Sequence, residues 1–281
     1  MNIAKRSATM MILANDLQDE EMKVLLLKRS EKSRFLPGSL VFPGGLEEDE
    51  DHLLPRVMLG DRLAKSLINT WSAWGMESEV QAYQSLGTAL RETQEECGLA
   101  LSSEDLLAQA PHQLVAHWLT PFALKKRYDT FFWGVVIRHC SDELTVDGIE
   151  ISGAQWWSPY EAVKAYEVGH LDLAVPTFMI LSELSMMIES EGKNMNASYA
   201  LQALAQSPLK DPIQPILSRD NGVKLYLPGG QLYGEYALNG EIEAKPQRPF
   251  WQVCQNHLTQ ITVQKKENHV AIKRWRRVFT K

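Results

Sequence analysis

A short acidic stretch, residues 91–99, constrains this chain more than any other part of its sequence. It reads Arg-Glu-Thr-Gln-Glu-Glu-Cys-Gly-Leu, and a Phe-Pro-Gly-Gly turn at 42–45 precedes it. On a helix, Glu92, Glu95 and Glu96 would lie on one face, one turn apart. Three like charges repel each other there, and a hard divalent cation bound through carboxylate oxygens is the natural compensation. The spacing therefore predicts a metal-binding helix rather than a solvated acidic surface.

Glycines on both sides of this stretch agree with that interpretation. Gly44 and Gly45 allow the backbone to turn tightly beside a site, because glycine has no Cβ to obstruct it. Gly98 is typical of the left-handed residue that ends a helix. We therefore expect a helix over residues 87–98 with a tight turn packed against it.

The composition excludes several classes of protein. The chain of 281 residues is 44% hydrophobic, enough for a sizeable core in one large domain or one domain with an extension. Its formal net charge of −6 argues against a nucleic-acid partner, because such binding relies on Lys and Arg at phosphates. No apolar run reaches the roughly 18 residues that span a bilayer, and no secretory signal is recognisable. We expect a cytoplasmic protein with a small-molecule partner and no membrane partner.

Strand-like and helical patterns alternate along the first 190 residues. Apolar runs at 7–14 and 22–28, joined by an acidic turn, predict a hairpin, and residues 39–42 predict a strand that enters the Gly-Gly turn. The other predicted elements are strands at 113–119, 130–138 and 150–157, a helix that begins at Ser158-Pro159, and a helix at 173–189. Strands flanking helices in this order indicate an α/β sandwich.

Two segments interrupt or extend this pattern. An insertion of helical character is predicted at about 52–86. From residue 191 the pattern changes to a short helix and further strand-like pieces, so we expect a domain at 1–190 and a β-rich extension at 191–281. A Pro-Gly-Gly at 228–230 predicts a hairpin turn rather than a second site, since no acidic helix follows it.

The acidic stretch resembles the second half of the Nudix box of the Nudix hydrolases. That box reads Gly, five residues, Glu, seven residues, Arg-Glu, apolar, any, Glu-Glu, any, Gly, apolar. In its second half only Thr93 departs from the pattern. In its first half, Asp51 stands five residues beyond Gly45 where Glu is usual, and 39 residues separate Asp51 from Arg91. The box is split by the insertion, and whether Asp51 replaces the usual Glu stays open.

The segment before the box resembles the coenzyme A motif of Nudix hydrolases. It reads Leu-Leu-Leu-Lys-Arg-Ser at 25–30, followed by Arg34, Gly38 and the Phe-Pro-Gly-Gly turn, with Leu27 where the motif has Thr or Ser. The split box is similar to that of the nucleoside diphosphate-linked moiety X motif 19 branch. Aromatic segments with the same similarity lie at 118–121, 127–132 and 155–159.

The resemblance implies a Nudix α/β/α sandwich with a mixed central sheet. It also implies hydrolysis of the pyrophosphate bond of coenzyme A and acyl-coenzyme A to 3′,5′-ADP and (acyl-)4′-phosphopantetheine, with Mg²⁺ (or Mn²⁺) as cofactor. The implied metal ligands are Glu92, Glu95 and Glu96, with Glu150 as the best match for a carboxylate from a later loop. Glu95 or Glu96 would also deprotonate the attacking water. Arg91 would hold the Gly-Gly loop against the helix.

Substrate binding is expected at the turn and the basic residues before it. Arg29 and Arg34 would grip phosphates with their planar guanidinium groups, beside the backbone of Gly44 and Gly45. The simpler interpretations are a solvated hairpin face for the arginines and an exposed strand-end carboxylate for Glu150.

Two alternative functions stay open. The same metal chemistry would serve ADP-ribose, a nucleotide sugar or a dinucleotide polyphosphate, although the arginine spacing favours coenzyme A. A Nudix-fold ligand sensor without catalysis is the other alternative. It is weakened because all three box carboxylates remain. The sequence does not determine the acyl-chain preference, the physiological metal or the oligomeric state, for which a homodimer is one option.

Overall fold

A computed structural model of the chain describes most of the first 218 residues and three later strands. The described residues are 3–33, 36–60, 71–108, 114–140, 143–206, 208, 211–218, 223–226, 261–266 and 269–275, with side chains described up to residue 215. Arg34 and the turn at 228–230 lie outside these residues, so the predictions made for them stay predictions.

A seven-stranded mixed sheet forms the centre of the fold. Its order is β3-β2-β1-β6-β5, with β4 paired to β1 and β7 paired to β2. β1 and β6 are parallel, whereas the other pairs are antiparallel. The predicted first hairpin is confirmed, with Leu13 opposite Val24. The strands are β1 (Lys5–Asn15), β2 (Met22–Arg29), β3 (Leu40–Val41), β4 (Gly44–Leu46), β5 (Leu114–Leu119), β6 (Tyr128–Val136) and β7 (Ile151–Trp157).

Helices cover both faces of this sheet. Successive side chains of a strand point to opposite faces, and β1 buries Met11 and Leu13 in one apolar cluster and Met10 and Ile12 in the other. A strand that is buried on both faces typically has a continuous run of apolar residues, and β1 contains such a run. The predicted α/β/α sandwich is confirmed. The helices are α1 (Leu53–Leu59), α2 (Glu79–Cys97), α3 (Ser103–Ala108), α4 (Pro159–Glu167), α5 (Val175–Glu191) and α6 (Ala197–Ala205).

The acidic helix α2 begins earlier than predicted. We expected it over 87–98, but it starts at Glu79 because Ser78 caps it, with an extended backbone and a side chain that accepts a hydrogen bond from the Gln81 N–H at 3.2 Å. The last residues of the predicted insertion at 52–86 therefore belong to α2. The end of the helix is as expected, with Gly98 left-handed at φ 72°.

The C-terminal extension contains a second sheet. Its four strands are antiparallel neighbours in the order β11-β10-β9-β8, which agrees with the predicted β-rich character. Among the described residues, no helix has both the length and the apolar character to cross a bilayer. These last strands are β8 (Ile216–Ser218), β9 (Val223–Tyr226), β10 (Ile261–Lys266) and β11 (His269–Trp275).

Candidate active site

The Gly-Gly turn and the C-terminal half of α2 meet at the predicted acidic face. The Gly44 N–H donates a hydrogen bond to the Glu96 carboxylate at 2.9 Å. The Glu92 carboxylate lies directly against Gly45, so that a Cβ at Gly45 would collide with it. The turn reaches the helix because Gly45 lacks a side chain, whereas a Cβ at Gly44 would collide with Ala8 and Thr9 of β1. Glycine is therefore required here for a close approach of backbone to carboxylate.

Arg91 lies at the centre of this arrangement. Its Nη1 donates to Glu92 at 2.8 Å and to Glu95 at 3.0 Å, and its Nη2 donates to the Leu46 carbonyl oxygen at 2.9 Å. The guanidinium therefore connects the helix to the strand that carries the Gly-Gly turn, the arrangement expected for this arginine. A hydrogen bond to Asp51 is the largest cause that raises the pKa of Arg91 above its ordinary value.

Asp51 is the acid that pairs with Arg91. Its side chain is 3% exposed and accepts from Arg91 Nε at 2.7 Å and Nη2 at 3.2 Å. The Thr88 hydroxyl and the Glu48 N–H donate to the same carboxylate at 2.6 and 2.9 Å. Burial alone would raise the pKa of Asp51, but these hydrogen bonds hold it below its ordinary value. An aspartate thus occupies the box position and binds the arginine.

The carboxylates of Glu92 and Glu96 are destabilised as anions by burial. Burial raises the pKa of Glu96 to about 8, opposed by the Gly44 N–H and reinforced by the nearby charge of Glu92. Burial likewise raises the pKa of Glu92, opposed by Arg91. Removal from water disfavours the charged form of each acid. A bound divalent cation would reverse this preference, since it stabilises the ionised carboxylates.

The donor set fits the predicted kind of metal ion. Carboxylate oxygens are the ligands that Mg²⁺ and Mn²⁺ prefer. Among the described residues, however, no group of three or more His, Cys, Asp or Glu side chains is arranged as a metal site. Glu92 and Glu95 bind Arg91, and Glu96 binds the Gly44 N–H. The assignment of Glu92, Glu95 and Glu96 as ligands stays a prediction.

Two further predicted residues come close to Glu96. Arg29 ends β2, and the Ser33 hydroxyl accepts hydrogen bonds from its Nη2 at 2.9 Å and its Nε at 3.3 Å. The charge of Arg29 lowers the pKa of Glu96, and that of Glu150 raises it. The two are neighbours through the Ser30 N–H, which donates to the Glu150 carbonyl oxygen at 2.8 Å. Glu150 itself is exposed. The fold therefore gathers both candidates beside the acidic face.

Comparison with known proteins identifies this fold. No family model matches the chain. The acyl-coenzyme A diphosphatase NUDT19 of Xenopus laevis is 25% identical over 318 aligned residues, which cover 89% of this chain and 80% of that protein. The Gallus gallus protein of the same name is 25% identical over 285 residues, 76% of this chain and 74% of its own. A NUDIX hydrolase structure from Alicyclobacillus acidocaldarius matches with a TM-score of 0.53 and 22% identity, over 75% of this chain and 100% of that chain.

The described residues therefore have the fold of that NUDIX hydrolase structure. The two halves of the split motif form one connected unit. Asp51 and Arg91 meet although 39 residues lie between them. The inserted residues leave the Gly-Gly turn and the acidic helix in contact.

An open groove lies between β4 and the first half of α2. Its volume is about 790 Å³, and its described lining residues include Arg6, Glu47 and Gln84 but none of the three acidic-face carboxylates. Gln84 precedes Arg91 by about two helical turns. Burial raises the pKa of Glu47 to about 7, opposed by the charge of Arg6. The predicted residues converge at the acidic face and not at this groove.

Sequence reasoning did not identify two side chains that shape the site, or the perturbed carboxyl group of Glu47 on the groove. Thr88 binds Asp51, and Ser33 binds Arg29. A polar residue at position 88, one turn before Arg91 on the same helix, is the only local signal that would have suggested Thr88. The other two contacts depend on how loops return to the sheet.

Proposed function

We propose that this protein is a divalent-metal-dependent diphosphatase that hydrolyses the pyrophosphate bond of coenzyme A and acyl-coenzyme A. The products would be 3′,5′-ADP and 4′-phosphopantetheine or its acyl form. The observation that carries the proposal is the hydrogen bond from the Gly44 N–H to Glu96 at 2.9 Å, which brings the Gly-Gly turn onto the acidic helix. The charge of Arg29, from the coenzyme A-like motif, lowers the pKa of the same carboxyl group and supports the proposal. The two relatives named acyl-coenzyme A diphosphatases support the same substrate.

The carboxylates of α2 would hold the metal ion. Glu92, Glu95 and Glu96 would supply oxygen ligands, and Glu150 would add one from the turn before β7. Mg²⁺ or Mn²⁺ bound there would neutralise charge developing on the diphosphate and polarise the attacking water. Glu95, whose side chain is 60% exposed, or the more buried Glu96 would accept the proton from that water.

The remaining residues would position the reacting groups. Arg91 keeps Glu92 and Glu95 at fixed distances from the turn, because one guanidinium binds both. The turn at Gly44 and Gly45 allows a diphosphate to approach the backbone without a side chain between them. Arg29 would bind a phosphate of the substrate by charge-assisted hydrogen bonds. Coenzyme A carries a 3′-phosphate in addition to its diphosphate, and a basic residue here would bind such a phosphate.

The test is a comparison of substrates at equal Mg²⁺ concentration, with chromatographic identification of the products. We expect release of 3′,5′-ADP from coenzyme A and its acyl esters, no reaction in the presence of a chelator, and kcat/KM for coenzyme A above that for ADP-ribose. A preference of tenfold or more for ADP-ribose would reject the coenzyme A assignment and keep the metal chemistry. Binding without turnover of any of these nucleotides would instead favour the sensor.

A further inference from the structure

Asp51, the acid that binds Arg91, has a shorter side chain than the glutamate that is usual at this position of the box. Aspartate has one methylene fewer than glutamate, so its carboxylate reaches about 1.5 Å less far from the backbone. Asp51 nevertheless binds Arg91 through both carboxylate oxygens, at 2.7 and 3.2 Å. The backbone or a neighbouring group must therefore make up the missing length.

The backbone around Asp51 is unusually close to α2. Gly87 is an interior residue of the helix, and a Cβ there would collide with the Asp51 carbonyl oxygen and lie 3.1 Å from Cδ of Pro55. Only a residue without a side chain allows the loop to lie this close to the helix. Gly87 therefore brings the shorter acid within reach of Arg91.

Thr88 then holds the Asp51 carboxylate in this position close to α2. It is 0% exposed, and its hydroxyl donates to Asp51 Oδ2 at 2.6 Å, with the Gln84 carbonyl oxygen at 2.9 Å as an alternative acceptor. A hydrogen bond from a hydroxyl to a carboxylate at this distance is charge-assisted. Because the Thr88 hydroxyl lies 2.6 Å from the Asp51 carboxylate, a longer acid extended along the same path would meet this side chain.

We propose that Thr88 is a positioning residue for the reaction. Together with Gly87 it allows Asp51 to replace the box glutamate, and it orients Arg91, which in turn orients Glu92 and Glu95. This inference rests on the proposed function for its kinetic consequence. Its structural part stands on the hydrogen bonds at Asp51.

The first test is a set of single substitutions at Thr88. Thr88→Val keeps the shape and removes the hydroxyl, so we expect kcat to fall about 10-fold or more with KM within about threefold. Thr88→Ser keeps the hydroxyl and should recover kcat to within about threefold of the wild type. The matched control is Thr93→Val. Thr93 is also 0% exposed on α2, but its hydroxyl donates to the Ala89 carbonyl oxygen at 2.7 Å and to no carboxylate. Full kcat in Thr88→Val would overturn the proposal.

The second test changes the length of the acid. Asp51→Glu should lower kcat because the longer side chain meets Thr88, and adding Thr88→Ala should raise it again by making room. In the wild-type background, Thr88→Ala should lower kcat. Thr88→Ala would then lower kcat in the wild type and raise it in Asp51→Glu. An effect on kcat that changes sign in this way shows that residues 51 and 88 are coupled. If Thr88→Ala has the same effect in both backgrounds, the proposal is wrong.

A third readout needs no substrate. Mn²⁺ titrated into each full-length variant should bind about 10-fold more weakly to Thr88→Val than to Thr93→Val, as expected when a residue that orients metal ligands is lost. The melting temperature of each variant shows whether it is folded. Unchanged Mn²⁺ affinity in folded Thr88→Val would reject the positioning role. A wild-type protein that binds Mn²⁺ but leaves coenzyme A intact would reject only the proposed function.

Discussion

The two arginines of the site approach the same acidic face from opposite elements, and their surroundings differ. Arg91 on α2 forms ion pairs with Asp51, Glu92 and Glu95 at 2.7 to 3.0 Å. Arg29 at the end of β2 is hydrogen-bonded to the hydroxyl of Ser33. The comparison indicates that Arg91 organises the protein's own acids, whereas Arg29 is the arginine for which we propose contact with a substrate phosphate.

The largest effect is expected on the acidic face itself. Glu96→Gln and Glu95→Gln should each lower kcat by about 100-fold or more, because each removes a metal ligand or the general base. Glu104→Gln is the matched control, since Glu104 on α3 is 87% exposed and pairs with Arg138 at 3.9 Å. Steady-state kinetics at saturating Mg²⁺ measures kcat for the two variants and for the control. Wild-type rates in Glu95→Gln and Glu96→Gln would mean that the acidic face has no part in the chemistry.

A smaller loss is expected when Arg91 can no longer bind several acids. Arg91→Lys keeps the charge but cannot reach Asp51, Glu92 and Glu95 together, because lysine lacks the planar fork. We expect kcat to fall about 10- to 100-fold, with a lower melting temperature, since Asp51 would lose its buried partner. KM for coenzyme A should change little. If Arg91→Lys changed KM but not kcat, Arg91 would be a substrate-binding residue, and the proposed difference between Arg91 and Arg29 would be wrong.

The complementary change at Arg29 should affect binding. Arg29→Gln removes the charge, and we expect KM for coenzyme A to rise about 10-fold while kcat stays within about threefold, the scale of one lost charged hydrogen bond. Lys28→Gln serves as the control, because Lys28 is its neighbour, half exposed and 3.6 Å from Glu31. If Arg29→Gln instead lowered kcat as strongly as Arg91→Lys, the two arginines would share one role.

The smallest effect is expected for Glu47, whose carboxyl group lines the groove. Among the described contacts, neither Arg29 nor Arg91 binds this carboxyl group. Burial raises its pKa from 4.5 to about 7 in the folded protein. The stability it contributes is therefore fully present below pH 4.5 and lost as the pH rises through 7. Glu47→Gln stays neutral and should melt about 2–4 °C higher than the wild type at pH 8, with no difference at pH 4.5. Equal melting temperatures at both pH values would show that Glu47 is solvated.

The parts of the site that were predictable from the sequence are those set by local geometry. The spacing of Glu92, Glu95 and Glu96 determines a helix face wherever that helix lies, and Gly98 ends it as expected. The strands of the sheet follow apolar runs that are buried on both faces. The start of α2 was missed because Ser78 caps the helix inside a segment whose pattern indicated an insertion.

The remaining parts depend on contacts between distant residues. Thr88 and Asp51 are 37 positions apart, and the helical Gly87 is required only because a loop lies against it. Ser33 is in the sequence close to Arg29, but its hydroxyl has a role only when the turn folds back on the strand. Periodicity and motif spacing contain no information on such contacts, since they describe one segment at a time.

The central claim is that the carboxylates of α2, beside the Gly-Gly turn, hold the divalent ion of the reaction. Anomalous diffraction at the manganese edge, on crystals of the full chain soaked with Mn²⁺, tests it most directly. We predict a peak in contact with the carboxylate oxygens of Glu92, Glu95 and Glu96, with Arg91 still bound to Asp51. A fully occupied manganese bound only in the groove beside Glu47, with the α2 carboxylates still turned toward Arg91 and Gly44, would contradict the account.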